Sequence, residues 1–83
     1  MSTQTTTRLE GEIIDMFATA LRADAGQIDP DSNYFTLGGD SLSTVNLSIA
    51  ISDRYDIEFS LIEIFENPTP GGIAGVLADR YLN

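Results

Sequence analysis

The chain has no cysteine, histidine, lysine or tryptophan. Without cysteine, neither a disulfide nor a thiolate metal site can staple a domain of 83 residues, so stability must come from helix packing. Cysteine usage therefore says nothing about compartment. Without histidine or lysine, the bases that ordinarily activate a serine hydroxyl are missing. Four arginines face thirteen carboxylates, for a net charge of −9, which argues against binding a phosphate backbone and leaves nucleic acid out as a partner. The acidity serves solubility and favours basic surfaces without naming one. No apolar run is long enough to cross a bilayer, and Met1 to Thr7 has neither the basic start nor the apolar stretch of a secretory signal. The expectation is a cytoplasmic monomer with no membrane partner.

With 42% hydrophobic residues, the chain can build one modest core. Residues 1–7 read as a flexible N-terminal tail and residues 8–83 as a single domain. A first helix is predicted to open at Thr7, which forms a capping-box pair with Glu10, and to carry Leu9, Ile13, Phe17 and Leu21 at helical spacing. It should end between Asp24 and Gly26. Residues 24–40 are rich in Asp, Gly, Pro and Asn and form a long loop, anchored to the core by Ile28, Phe35 and Leu37.

The second helix should run from Ser41 to Tyr55, with its apolar side chains in two groups. Leu47, Ile51 and Tyr55 share one side, and Leu42, Val45 and Ile49 share another with Ser41, the groups being separated by Ser48 and Ser52. One stripe is core and the other is core or interface. Ser60 and Glu63 form a further capping pair, opening a short third helix that turns Leu61, Ile64 and Phe65 inward and Ile62 elsewhere. Thr69 and Pro70 read as N-cap and first-turn proline of a last helix using Ile73, Val76 or Leu77, and Tyr81. Gly71, Gly72 and Gly75 weaken it. The fold class is all-α.

The most informative stretch is Gly38 to Leu42. Two glycines let the backbone turn sharply, Asp40 or Ser41 caps the helix that follows, and a helix N-terminus tolerates added negative charge. The letters GDSL at Gly39 to Leu42 resemble the nucleophile block of GDSL-type esterases. That chemistry fails here, since no histidine or lysine serves as base and the chain is far shorter than such enzymes. Calcium is a second candidate, because Asp29, Asp31 and Asn33 occupy positions one, three and five of a twelve-residue loop ending at Asp40. The pattern breaks at Tyr34, where glycine is needed, and at Asp40, where glutamate is usual, so these residues read as a turn and no metal is expected. In the third reading Ser41 is modified by another enzyme, which needs only an exposed hydroxyl held at a helix end.

The run Tyr34 to Leu47, reading YFTLGGDSLSTVNL, resembles the signature of acyl carrier and peptidyl carrier proteins. Ile28 to Asp31 before it, and Ile57 to Phe59 and Leu61 to Thr69 after it, extend the likeness over most of residues 8–83. The resemblance implies a four-helix bundle with a long loop between helices 1 and 2 and a short third helix. It implies a non-enzymatic carrier domain over residues 8–83 with 4′-phosphopantetheine joined to Ser41, Asp40 positioning it, and acyl or aminoacyl groups held as thioesters. Leu47, Ile51 and Tyr55 are then core, while Leu42, Val45, Ile49, Ile62 and Glu66 meet partner enzymes. The implied partners are a phosphopantetheinyl transferase, a loading adenylation enzyme or acyltransferase, and a ketosynthase or condensation enzyme.

Two features depart from the usual pattern. Pro70 stands where carriers usually have an aliphatic residue, which would leave the last helix short of one core contact. The glycine pair resembles carriers of nonribosomal-peptide and modular polyketide assembly, whereas Ser43, Thr44, Val45 and the acidic surface resemble free-standing fatty-acid carriers. A discrete carrier of polyketide or nonribosomal-peptide biosynthesis fits both, with an excised synthase domain as its close competitor. The alternatives are a primary-metabolism fatty-acid carrier and an acidic helical interaction module with no prosthetic group.

Overall fold

The structure, a computed structural model, describes residues 3–82. The described residues form four α-helices: α1 (Thr3–Leu21), α2 (Ser41–Tyr55), α3 (Leu61–Glu66) and α4 (Pro70–Val76). A 3₁₀ turn, Ala25–Gln27, lies in the long loop after α1, and a π-helical turn, Leu77–Tyr81, extends α4. The described residues contain no strand. This is the four-helix bundle with a long first loop and a short third helix that the resemblance implied.

The core follows the helical periodicities. Leu9, Ile13 and Phe17 recur every fourth residue along α1, and all three are buried, as are Leu47 and Ile51 of α2, Ile64 of α3, and Ile73 and Ala74 of α4. Leu77 and Ala78 continue the α4 contribution through the π turn. Helix α2 runs antiparallel to α1. Glu12 accepts from Tyr55 Oη at 2.6 Å and faces Arg54 Nη2 at 3.5 Å, so the middle of α1 meets the end of α2.

The first helix starts earlier and ends earlier than its sequence signals suggest. It begins at Thr3, so Thr7 is an interior residue rather than the N-cap; no glycine or proline among residues 3–7 stops the helix from propagating back through them. Met1 and Ser2, the rest of the expected tail, lie outside the described residues. The helix ends at Leu21 because Arg22 turns left-handed at φ 55°, with Arg22 N–H donating to the Thr19 carbonyl and Ala23 N–H to that of Ala18. That pattern terminates a helix and satisfies its last carbonyls. Asp24 then caps the 3₁₀ turn through the Gly26 N–H at 2.9 Å.

Other local expectations change for packing reasons. Leu37 is exposed rather than an anchor, and Tyr34 takes its place, wholly buried and edge-on to the rings of Phe17 and Phe35. Phe65 does not face the core; it is half-exposed and stacked parallel on Phe35 at 5.2 Å. Ser60 is the N-cap of α3 but makes no side-chain capping bond. Glu63, its expected partner, instead accepts from Arg80 Nη2 at 3.2 Å and Tyr81 Oη at 2.9 Å, joining α3 to the C-terminal turn. Thr69 does cap α4, accepting from Gly72 N–H at 2.9 Å. Pro70 leaves no gap, since it is fully buried and fills its own position in the core.

Candidate functional site

Asp40 and Ser41 occupy the N-terminus of α2 in distinct roles. Asp40 is the N-cap: its carboxylate accepts from Ser43 N–H at 2.8 Å, and Asp40 N–H donates to Ser43 Oγ at 3.0 Å. The pair closes a reciprocal capping box in which serine stands where glutamate or glutamine is usual. The Ser43 N–H is the largest influence holding the Asp40 carboxyl below the usual carboxylate range, followed by the Ser43 side chain. Because Asp40 takes the cap, Ser41 is the first helical residue. It is exposed, and no hydrogen bond engages its hydroxyl among the described residues.

The preceding loop explains both glycines. Asn33 Oδ1 accepts from Phe35 N–H at 2.9 Å and Thr36 N–H at 3.2 Å, winding residues 34–37 into one turn. Gly38 leaves that turn at φ 109°, a conformation disfavoured for any residue with a Cβ. Gly39 has a different reason: a Cβ there would overlap the Tyr34 ring and stand 2.9 Å from the Tyr34 carbonyl oxygen. Tyr34 thus packs directly beneath the backbone that delivers Asp40 and Ser41. Its hydroxyl is buried without a hydrogen-bond partner among the described residues, and burial pushes its pKa above the usual tyrosine value.

The acidic loop upstream is a set of turns. Asp29 Oδ1 accepts from Asp31 N–H at 2.8 Å, and Asn33 Oδ1 is used as above. No cluster of three or more metal-ligating residues occurs among the described residues.

The two stripes of α2 separate cleanly. Leu47 and Ile51 are buried, whereas Leu42, Val45 and Ile49 are 72%, 38% and 53% exposed on the solvent side. Ile62 is exposed at 61%, and Glu66 is exposed on the same short helix α3, which packs against α2. Phe65, which the sequence reading had placed inward, adds a half-exposed ring there. Sequence reasoning also missed Tyr34 and Ser43. The Asp40-x-x-Ser43 spacing was a usable signal for the second, and the need for glycine at position 39 was a usable signal for a bulky neighbour.

Residues 11–77 match the family described as the phosphopantetheine attachment site. A curated relative, malformin synthetase from Aspergillus sclerotiicarbonarius, is 36% identical over 66 residues, which is 80% of this chain and 1% of that protein. The HMG-ACPI domain from the CurA module of Lyngbya majuscula superposes with a TM-score of 0.85 at 22% identity, over 94% of this chain and 83% of that one. A free-standing peptidyl carrier protein from Acinetobacter baumannii gives a TM-score of 0.83 at 22% identity, over 92% and 95% of the two chains. At that identity the structural likeness speaks to the fold. No helix among the described residues is long and apolar enough to cross a membrane.

Proposed function

The chain belongs to the phosphopantetheine attachment-site family, and from that membership we propose that Ser41 is the residue that carries the arm. The cofactor of this family is 4′-phosphopantetheine, and the chain is a carrier unit of the kind found in nonribosomal-peptide synthetases. When attached, the arm supplies a terminal thiol that holds acyl or aminoacyl groups as thioesters. The proposed carrier unit is residues 8–83, and the protein itself performs no catalysis.

One observation carries the assignment of Ser41: its hydroxyl is exposed and unbonded at the first position of α2, because Asp40 has taken over the capping. The residues present fit the arm. A phosphodiester on Ser41 would sit at the positive end of the α2 dipole, which favours an anion. The Asp40 carboxylate opposes it as a like charge, but Asp40 is exposed and solvent screens the repulsion.

The partners follow from the same surface. A phosphopantetheinyl transferase must reach Ser41, and a loading adenylation enzyme or acyltransferase and a condensation enzyme or ketosynthase must then reach the arm. Leu42, Val45, Ile49 and Ile62 offer them an apolar patch, and Asp40 and Glu66 add charges suited to a basic docking surface. Location in the cytoplasm and a monomeric state complete the reading.

The test is to incubate the protein with coenzyme A, magnesium and a broad-specificity transferase and then measure the intact mass. A single addition is expected on the wild type and on Ser43→Ala, and none on Ser41→Ala. An unmodified wild type, or equal addition to Ser41→Ala, sinks the assignment and favours an acidic interaction module.

A further inference from the structure

A groove of about 370 Å³ lies between the C-terminal end of α1 and the middle of α2, on a flank separate from the α2–α3 patch. Its apolar lining includes Met16, Ala20, Leu47 and Ala50, and its polar lining includes Arg22 and Asn46. No carboxylate lines it, in a chain with thirteen of them.

Arg22 differs from the other three arginines. Arg8 and Arg54 face Glu12 and Arg80 faces Glu63, but among the described residues no carboxylate lies within 4.0 Å of Arg22. It also holds the left-handed helix-ending position, at φ 55°, where glycine or asparagine is the usual choice. The Asn46 amide likewise has no hydrogen-bond partner among the described residues. Two unused donors therefore meet in one groove with an apolar wall. That combination suits a short apolar group ending in a carboxylate, which the guanidinium can hold by charge-assisted hydrogen bonds.

The groove is within reach of Ser41. Asn46 lies about 140° round α2 from Ser41 and about 7.5 Å up its axis, roughly 15 Å over the surface of a helix 10–12 Å across. A phosphopantetheine arm is about as long as an extended five-residue peptide, about 17 Å. The exposed Leu42 lies on the path between them. Tethering also changes what affinity is needed, because a group on a short flexible tether has an effective concentration in the millimolar range. A shallow groove that binds a free ligand only weakly is then occupied, yet releases it readily to an enzyme.

Resting on the attachment at Ser41, we infer that this groove receives the distal end of the arm-borne group, and that Arg22 and Asn46 favour groups ending in a carboxylate. The test loads the protein through the transferase with hydrolysis-resistant amide analogues of coenzyme A bearing a glutaryl group, the same group with its terminal carboxylate as a methyl ester, or a pentanoyl group. Complete loading is verified by intact mass. Resonances of Arg22 Nε, Asn46 Nδ2 and the Met16 methyl are then compared with those of the unloaded protein. The glutaryl form is expected to shift all three, and the methyl ester and pentanoyl forms to move the Met16 methyl alone. In Arg22→Gln the glutaryl form should lose its distinction from the ester, while the core methyls of Ile13 and Ile51 show the fold retained. Added salt should shrink the Arg22 shift. Full loading with identical Arg22 and Asn46 resonances in all three forms overturns the inference and leaves the attachment intact. Absence of any mass gain overturns both.

Discussion

On one face of α2, Leu47 and Ile51 are fully buried; on the other, Leu42 and Ile49 are 72% and 53% exposed, although all four are aliphatic and lie within one run of ten residues. The buried face also takes in Thr44 and Ser48. Their hydroxyls donate within the helix, Thr44 Oγ1 to the Asp40 carbonyl at 2.6 Å and Ser48 Oγ to that of Val45 at 2.8 Å, so burying them strands no polar group. Apolarity therefore does not decide which face is core. The decision comes from where the other helices stand, and once they cover one face, the aliphatics on the other are available to partners.

The sharpest way to break this comparison is to truncate one residue from each face. Ile51→Ala should cost about 2–5 kcal/mol by leaving a cavity. Ile49→Ala should stay within about 0.5 kcal/mol, as exposed substitutions do, while slowing loading or condensation. Urea unfolding reads the first pair of values and steady-state loading kinetics the last effect; equal losses of stability would erase the distinction between faces. Next in size is Gly39→Ala, whose added methyl meets the Tyr34 ring and carbonyl and should cost about 1–3 kcal/mol. A variant as stable as wild type would show that Tyr34 does not support the site from beneath.

A smaller effect concerns the far end of α2, where Tyr55 is tied to Glu12. Burial, and then the hydrogen bond to the Glu12 carboxylate, raise the Tyr55 pKa well above the ordinary value of 10.0, with Arg54 opposing. The folded state thus prefers the neutral phenol. Its stabilising contribution is complete below pH 10 and is lost as pH rises beyond that, so the melting temperature should fall in alkali. Tyr55→Phe should flatten that fall.

Asp40 has the opposite sign. Its carboxyl is held below the usual range by Ser43, so its contribution is full at neutral pH and is lost as pH drops through the folded-state value. Asp40→Asn keeps a cap acceptor and should remove the part of the acid dependence that Asp40 contributes in a melting series between pH 6 and pH 2, whereas Asp40→Ala lowers stability at every pH. Smallest of all on stability is Ser41→Ala, within about 0.5 kcal/mol, although it should abolish the mass gain completely. A large loss of stability there would mean that Ser41 is structural.

Much of the bundle was legible because its signals are local. Leu9, Ile13 and Phe17, or Thr69 with Pro70, announce a helix face or a helix start from residues within a turn of each other. The bounds of α2, Ser41 to Tyr55, could be read for the same reason. What misled was local chemistry with a distant competitor. Glu63 looks like the capping partner of Ser60, yet Arg80 and Tyr81, seventeen and eighteen residues on, hold its carboxylate. Phe65 has the spacing of an inward residue on α3, but the ring of Phe35 stacks with it nearer the surface. The end of α1 eluded sequence because arginine is an uncommon residue for the left-handed position that stops it.

The sequence by itself determined the helix count, the glycine-rich approach to a serine at a helix start, the acidic balance and the lack of any histidine or lysine to act as base, all of which depend on residue type and short spacing. It left open whether Asp40 or Ser41 caps α2 and whether an arginine in an acidic chain has a partner. Only the tertiary structure decided these. Each turns on which groups from other segments come within a few ångströms, as the Tyr34 ring does beneath Gly39 and as no carboxylate of the described residues does beside Arg22.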